Sequence, residues 1–208
     1  MSLQICHIKN PILKEISFSV LPGQCLVVFG PSGSGKTTLL RTIAGLEALE
    51  QGQIILGEKE ITFLEPYQRN IAMLFQNHAL FPHLNVLQNI EFPLKRKGYP
   101  AKKIRSKAEY FLDLMQMSLL AKRYPSSLSG GEKQRVALAQ VFMLEPAALL
   151  LDEPLSHLDS ANQEILLKEI KKIHKEQNFP LVYVTHDASE AQIMADSFLS
   201  LKSGAVVD

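Results

Sequence analysis

Two kinds of apolar patterning share this chain. Compact apolar runs, bounded by Gly, Pro or polar residues, occur at 25–29, 71–75, 147–151 and 181–185, and they read as buried strands. Shorter strand-like segments occupy 3–8 and 16–21, ahead of the turn dipeptide Pro22-Gly23. Segments 52–56 and 59–63 flank Gly57 as a hairpin, and Ser203-Gly204 turns 198–201 into a last strand at 205–207. Between these runs the apolar spacing changes to that of helices. Leu166, Ile170 and Ile173 share one face of a helix over 160–177, and a short helix precedes strand 198–201. The block from 77 to 128 differs in character. Pro82, Pro93 and Pro100 punctuate it, and Ile104, Ala108, Phe111, Leu112 and Met115 then repeat at helical spacing, so it reads as a helical insertion. A further helix runs from Ser129 to about Leu144 and stops before Pro146. No internal repeat or low-complexity tract is present.

Alternating strands and helices with fully apolar strands predict a parallel sheet covered on both faces. Four apolar runs end directly at a polar residue: Phe29 at Gly30, Phe75 at Gln76, Leu151 at Asp152-Glu153, and Val184-Thr185 at His186. Ligands of open α/β sheets bind outside the carboxyl ends of the strands. One such junction alone is explained by a polar strand cap. Four together place chemistry on one edge.

The first of these junctions names the chemistry. Gly30-Pro31-Ser32-Gly33-Ser34-Gly35-Lys36-Thr37-Thr38 fits G-x-x-x-x-G-K-[ST] between a strand and a helix, the context a phosphate loop needs. Glycines let the backbone N–H groups turn inward, and the helix start adds unpaired N–H groups and a positive dipole end. Lys36 reaches β- and γ-phosphates, and the Thr37 hydroxyl is placed to ligate Mg²⁺. Asp152, at the end of a buried strand, is the expected metal-side carboxylate, and Glu153 is the candidate general base for water. Gln76 bridges metal and water through its amide oxygen. His186 either donates to the γ-phosphate or holds the water.

A second stretch, Ser129-Gly130-Gly131-Glu132, combines a capping box with glycines in the first helical turn. Those glycines lower helix propensity by about 1 kcal/mol each, which points to something approaching the backbone closely. The helix start is a second anion-binding candidate in the same chain.

Bulk properties narrow the rest. A chain of 208 residues forms one globular unit, with or without a subdomain. Its formal net charge of +1 offers no overall basic face for DNA. Cys6 and Cys25 sit in apolar segments, fit no zinc spacing and read as buried thiols of a reducing compartment. No leader pattern opens the chain, and no apolar run approaches the roughly 20 residues of a spanning helix. The expectation is a cytoplasmic location, with any membrane link made through a partner.

Leu128-Ser129-Gly130-Gly131-Glu132-Lys133-Gln134-Arg135 resembles the signature motif of ABC-transporter ATPases. The phosphate loop then resembles the family's Walker A, Gln76 its Q-loop glutamine, 149–153 its Walker B with glutamate, Ser156-His157-Leu158-Asp159 its D-loop, and His186 its H-loop histidine, in the family's order. The resemblance implies a P-loop NTPase (RecA-like) α/β fold. Its parallel-sheet core and N-terminal antiparallel β subdomain would take about 1–76 and 145–208, and the α-helical subdomain about 77–144. It implies an Mg²⁺-dependent ATPase that works as a dimer of identical or different subunits. In that pair, Ser129, Gly130 and Gly131 meet the γ-phosphate in trans. It also implies transmembrane permease subunits as partners and a peripheral place on the cytoplasmic face of the membrane. Residues 78–86 with Asn89-Ile90 resemble importers that use an extracytoplasmic substrate-binding protein, with Leu80, Phe81 and Pro82 either in the docking groove or packed internally. An exporter or lipid-trafficking ATPase is the alternative, and a soluble non-transport ABC-type ATPase the third reading. The family's adenine-stacking aromatic has no counterpart before the first core strand, where His7 is the nearest candidate.

Overall fold

The computed structural model describes residues 1–75, 80–156, 158 and 160–207. They divide into two compact units, 1–73 with 146–153 and 170–208, and 74–145 with 154–169.

The first unit contains two sheets. The smaller is antiparallel, in the order β2-β1-β4-β5, from β1 (Leu3–Lys9), β2 (Ile16–Val20), β4 (Gln51–Leu56) and β5 (Lys59–Glu60). In β1 the buried positions are Leu3, Ile5 and then Ile8, which breaks the period of two. A bulge explains the change. His7 takes φ +50°, and the pairing with both neighbours shifts register across it. The hairpin expected over 59–63 is shorter than its apolar pattern, because pairing stops at Glu60 while Ile61 and Thr62 turn into the interior.

The larger sheet has the order β10-β9-β3-β8-β7-β6, with β3 (Cys25–Phe29), β6 (Ile71–Leu74), β7 (Ala148–Asp152), β8 (Leu181–Thr185), β9 (Ser197–Lys202) and β10 (Ala205–Val207). β3 pairs in parallel with β8 and β9, and β7 in parallel with β8. β10 is the departure from the parallel expectation. It follows β9 through the tight Ser203-Gly204 turn, which allows only an antiparallel neighbour. β7 and β8 are buried at every position. Helix α1 (Lys36–Ala44) packs Leu39, Leu40 and Ile43 into one apolar cluster with Leu26 and Val28 of β3, Val182 and Val184 of β8, and Leu3 and Ile5 of β1. α5 (Ser160–Gln177) and α6 (Ala188–Met194) complete the alternation. Of the two cysteines, Cys25 is buried and Cys6 only half-buried.

The second unit is helical, built on α2 (Val86–Arg96), α3 (Ala101–Leu114) and α4 (Gly130–Met143). Phe111 of α3 and Phe142 of α4 stack with centroids 6.1 Å apart. Pro93, expected to punctuate the block, lies inside α2. A proline there has no N–H for the carbonyl four residues back. That carbonyl belongs to Asn89, and Gln140 of α4 fills the gap by donating Nε2–H at 2.9 Å. Phe81 is half-buried, its ring 4.3 Å from that of Phe92 and its backbone held by the buried Asn89 side chain.

Candidate functional site

The phosphate loop joins β3 to α1. A Cβ on Gly30 would lie 2.2 Å from the Leu201 carbonyl oxygen of β9, so only glycine fits where the loop leaves the sheet. Gly35 stands at the N-cap of α1 with φ +102°, and no side chain among the described residues caps the helix. Leu39 is the first residue to donate back along the helix, to Gly35 at 2.8 Å. The N–H groups of Lys36, Thr37 and Thr38 therefore have no acceptor within it. Lys36 is buried and folds across the loop, donating to the carbonyls of Gly30 at 2.7 Å and Pro31 at 3.0 Å. The Ser34 hydroxyl is buried with no hydrogen-bond partner among the described residues.

β7 and β8 bring the other groups to this edge. Asp152, the last residue of β7, is 3% exposed. Burial pushes its carboxyl above the usual range, against the hydrogen bond from the Thr37 hydroxyl and the Lys36 charge, while Glu153 adds to the rise. Glu153 then turns off the strand with φ +46° and anchors its N–H on the Val184 carbonyl of β8 at 3.0 Å. That sharp turn separates the two acids. Asp152 faces Thr37, whereas Glu153 presents Oε1 to His186 Nδ1 at 3.1 Å. The sequence-predicted residues from Gly30 to Thr38, Asp152, Glu153 and His186 thus fall in one unit, where Thr37 bonds Asp152 and Glu153 bonds His186.

The donor set fits a polyphosphate with its cation. Unpaired helix N–H groups, the Lys36 ammonium and the orphan Ser34 hydroxyl suit phosphate oxygens. A hydroxyl and a buried carboxylate in contact suit Mg²⁺, which keeps few protein ligands and completes its shell with phosphate and water. No cluster of three His, Cys, Asp or Glu that would hold a metal on its own occurs among the described residues.

Ser129, Gly130 and Gly131 belong to the helical unit. Ser129 is the N-cap of α4, its Oγ accepting from the Glu132 N–H at 3.2 Å while Glu132 Oε2 accepts from the Ser129 N–H at 2.7 Å. Gln76, His78, Ala79, His157 and Asp159 lie outside the described residues.

Sequence reasoning missed Asn10. It sits buried in the loop between β1 and β2, accepts from the N–H groups of Ile12 and Leu13, and donates to Thr42 Oγ1 of α1 at 3.1 Å. Ile12 and Leu13 in turn flank Gly35. The Asn-Pro dipeptide is a visible turn signal, but nothing local ties it to α1. His7, the nearest candidate to stack on adenine, lies exposed in the β1 bulge with Nδ1 3.2 Å from Glu15 Oε1.

The family model described as ABC transporter matches residues 13–156. The chain belongs to the ABC transporter family. Its relatives include the spermidine/putrescine import ATP-binding protein PotA of Thermotoga maritima, 44% identical over 94% of this chain and 53% of the relative. Another is the sulfate/thiosulfate import ATP-binding protein CysA of Synechocystis sp., 44% identical over 93% of this chain and 55% of the relative. The chain therefore spans about half the length of the curated relatives it matches. Among solved structures, a dimeric ATP-binding cassette in a post-hydrolysis state with ADP and Pi superposes with a TM-score of 0.90 at 28% identity, covering 99% of this chain and 97% of that one. This family membership agrees with the two sheets and the helical unit described above. Among the described residues no helix is long and apolar enough to cross a membrane.

Proposed function

We propose that the chain is the Mg²⁺-dependent ATP-hydrolysing subunit of a membrane importer and that it works as one of a pair. The observation that carries this reading is the gathering, in one unit, of the phosphate loop, Asp152 bonded to Thr37, and Glu153 bonded to His186. Import is supported by relatives named as import ATP-binding proteins, and pairing by the dimeric cassette.

Bound Mg²⁺ and the triphosphate would supply an activated phosphoryl group with its charge partly neutralised. The chain's own residues then divide the work. Gly30, Pro31, Ser32, Gly33, Ser34 and Gly35 cradle phosphate oxygens with Thr38, and Lys36 exchanges the two loop carbonyls for them. Thr37, Asp152 and Gln76 hold the cation. The Glu153 carboxylate accepts the proton of the attacking water, and His186 orients that carboxylate through Nδ1. Ser129, Gly130 and Gly131 of a second subunit close the phosphate site from the other side. Transmembrane permease subunits, fed by an extracytoplasmic binding protein, take up the resulting opening and closing at the cytoplasmic face.

The test is the Glu153→Gln variant of the whole chain. It is expected to bind ATP like the parent, to pair in its presence on gel filtration, and to turn over at least about 100-fold more slowly. Full hydrolysis by this variant overturns the role of Glu153, and a strictly monomeric sample working at full rate overturns the pairing. Co-purification with a permease whose transport needs a binding protein separates import from export.

A further inference from the structure

His186 has an unusual problem of support. Its side chain is 60% exposed, and among the described residues its ring bonds to Glu153 on the first unit's functional edge. An exposed ring is held by its own backbone more than by packing. The precision of that contact therefore depends on what fixes the turn between β8 and α6.

The turn is tied from below by a buried acid. Tyr183 and Thr185 alternate onto one face of β8, while Val182 and Val184 face the apolar cluster with α1. Over the first face lies Glu190 of α6, 3% exposed, beside the buried Ala191 and Met194. The Tyr183 hydroxyl donates to Glu190 Oε2 at 2.9 Å, and the Thr185 hydroxyl donates to the same carboxylate. Thr185 Oγ1 also accepts from the Asp187 N–H at 3.0 Å. Asp187 Oδ1 closes the ring by accepting from the Glu190 N–H at 3.1 Å. Residues 185, 187 and 190 are thus locked to one another, and His186 is carried on the ring they form. A buried carboxylate is a costly way to fill space at this point of α6, where an apolar residue packs without desolvation. Its two hydroxyl donors offset that cost and at the same time tie the end of β8 to α6.

We infer that Glu190 is a positioning residue for His186: through Thr185 and Tyr183 it sets the turn that presents the imidazole to Glu153. The inference rests on the proposed role of His186 in hydrolysis. Its test is steady-state ATP hydrolysis by the whole chain in which Glu190→Ala, Glu190→Gln, Tyr183→Phe and His186→Ala are compared, with the Glu190→Ala/His186→Ala double variant. Glu190→Ala is expected to lower kcat about 10-fold with KM for ATP within about 2-fold, because misplacing a reacting group weakens chemistry more than binding. Glu190→Gln keeps an acceptor oxygen for the hydroxyls and recovers most of the rate. Tyr183→Phe, which leaves the packing intact, shows a smaller loss with the same split. In the His186→Ala background, Glu190→Ala adds less than about 2-fold, the non-additivity of residues acting as one unit.

Parental kcat in both Glu190→Ala and Tyr183→Phe overturns the inference. So does a loss that multiplies in full onto His186→Ala, or one that appears in KM. If Glu190→Ala does not fold, Tyr183→Phe and Glu190→Gln decide by the same criteria. Parental turnover by His186→Ala removes the role of His186 and the inference with it. A slow His186→Ala beside parental Glu190 variants removes the inference alone.

Discussion

The starts of α1 and α4 are both glycine-rich, yet they are finished in opposite ways. α1 begins at Gly35, which offers no capping side chain, and the neighbouring Ser34 hydroxyl is buried without a partner. α4 begins at Ser129, whose reciprocal bonds with Glu132 complete a capping box. The first helix start is left open for a ligand and borrows the Lys36 ammonium to quiet its own loop carbonyls. The second has the N–H groups of Ser129 and Glu132 paired by its own side chains, with Ser129 and Gly130 exposed. A helix N-terminus is therefore not one kind of site. What the chain leaves unpaired there decides whether a ligand completes the structure or only visits it.

The sharpest way to break this contrast is Lys36→Ala. Nucleotide affinity is expected to fall at least about 100-fold in equilibrium binding, since a charge-assisted contact to phosphate disappears from a buried position. An affinity within a few-fold of the parent would mean that the open helix start alone makes the site. Next in size is Asn10→Ala. It strips the Ile12 and Leu13 N–H groups of their acceptor and Thr42 of its donor, so a loss of about 2 kcal/mol is expected by urea denaturation, felt in the unit that carries α1. Ser129→Ala probes the other helix start. It should cost about 1 kcal/mol of stability without nucleotide, because the cap is worth that much to α4 itself. No change in the urea midpoint would show that the box is ornamental.

The smallest effect is one of pH. His174 is buried, and burial holds its pKa below the ordinary 6.5 against the bond from Nε2 to the Phe179 carbonyl at 2.8 Å. The unfolded chain then binds the proton more tightly than the folded one. Stability should be complete above about 6.5 and decline as pH falls below it toward the depressed folded value. Urea midpoints at neutral and mildly acidic pH check the sign, and His174→Gln should flatten the difference.

Much of this was legible in the residues because the signals are local. An apolar run ending at a loop of fixed pattern places strand, turn and helix in a few residues, and the Ser129–Glu132 box needs no partner beyond its own turn. Other features were illegible because packing and pairing decide them rather than the local pattern. Pro93 reads as a break, yet Gln140 supplies the donor that lets α2 continue. Tyr183 reads as one more apolar strand residue, whereas its hydroxyl meets an acid on the next helix. The β1 bulge moves Ile8 to the inner face, a parity change that the alternation alone does not announce.

By itself the sequence determined the kinds of element, the phosphate loop, the two helix starts and the acids and histidine at the strand ends. Those follow from periodicity, capping chemistry and backbone freedom, all of which act over a few residues. Tertiary structure alone decided that Asp152 faces Thr37 while Glu153 swings to His186, that Asn10 braces α1, and that Glu190 underpins the histidine's turn. Each of these is a hydrogen bond between different elements of the fold, whether their residues lie seven apart, as Tyr183 and Glu190 do, or far apart. Such a bond is specified only when packing brings a donor and an acceptor into the same dry place.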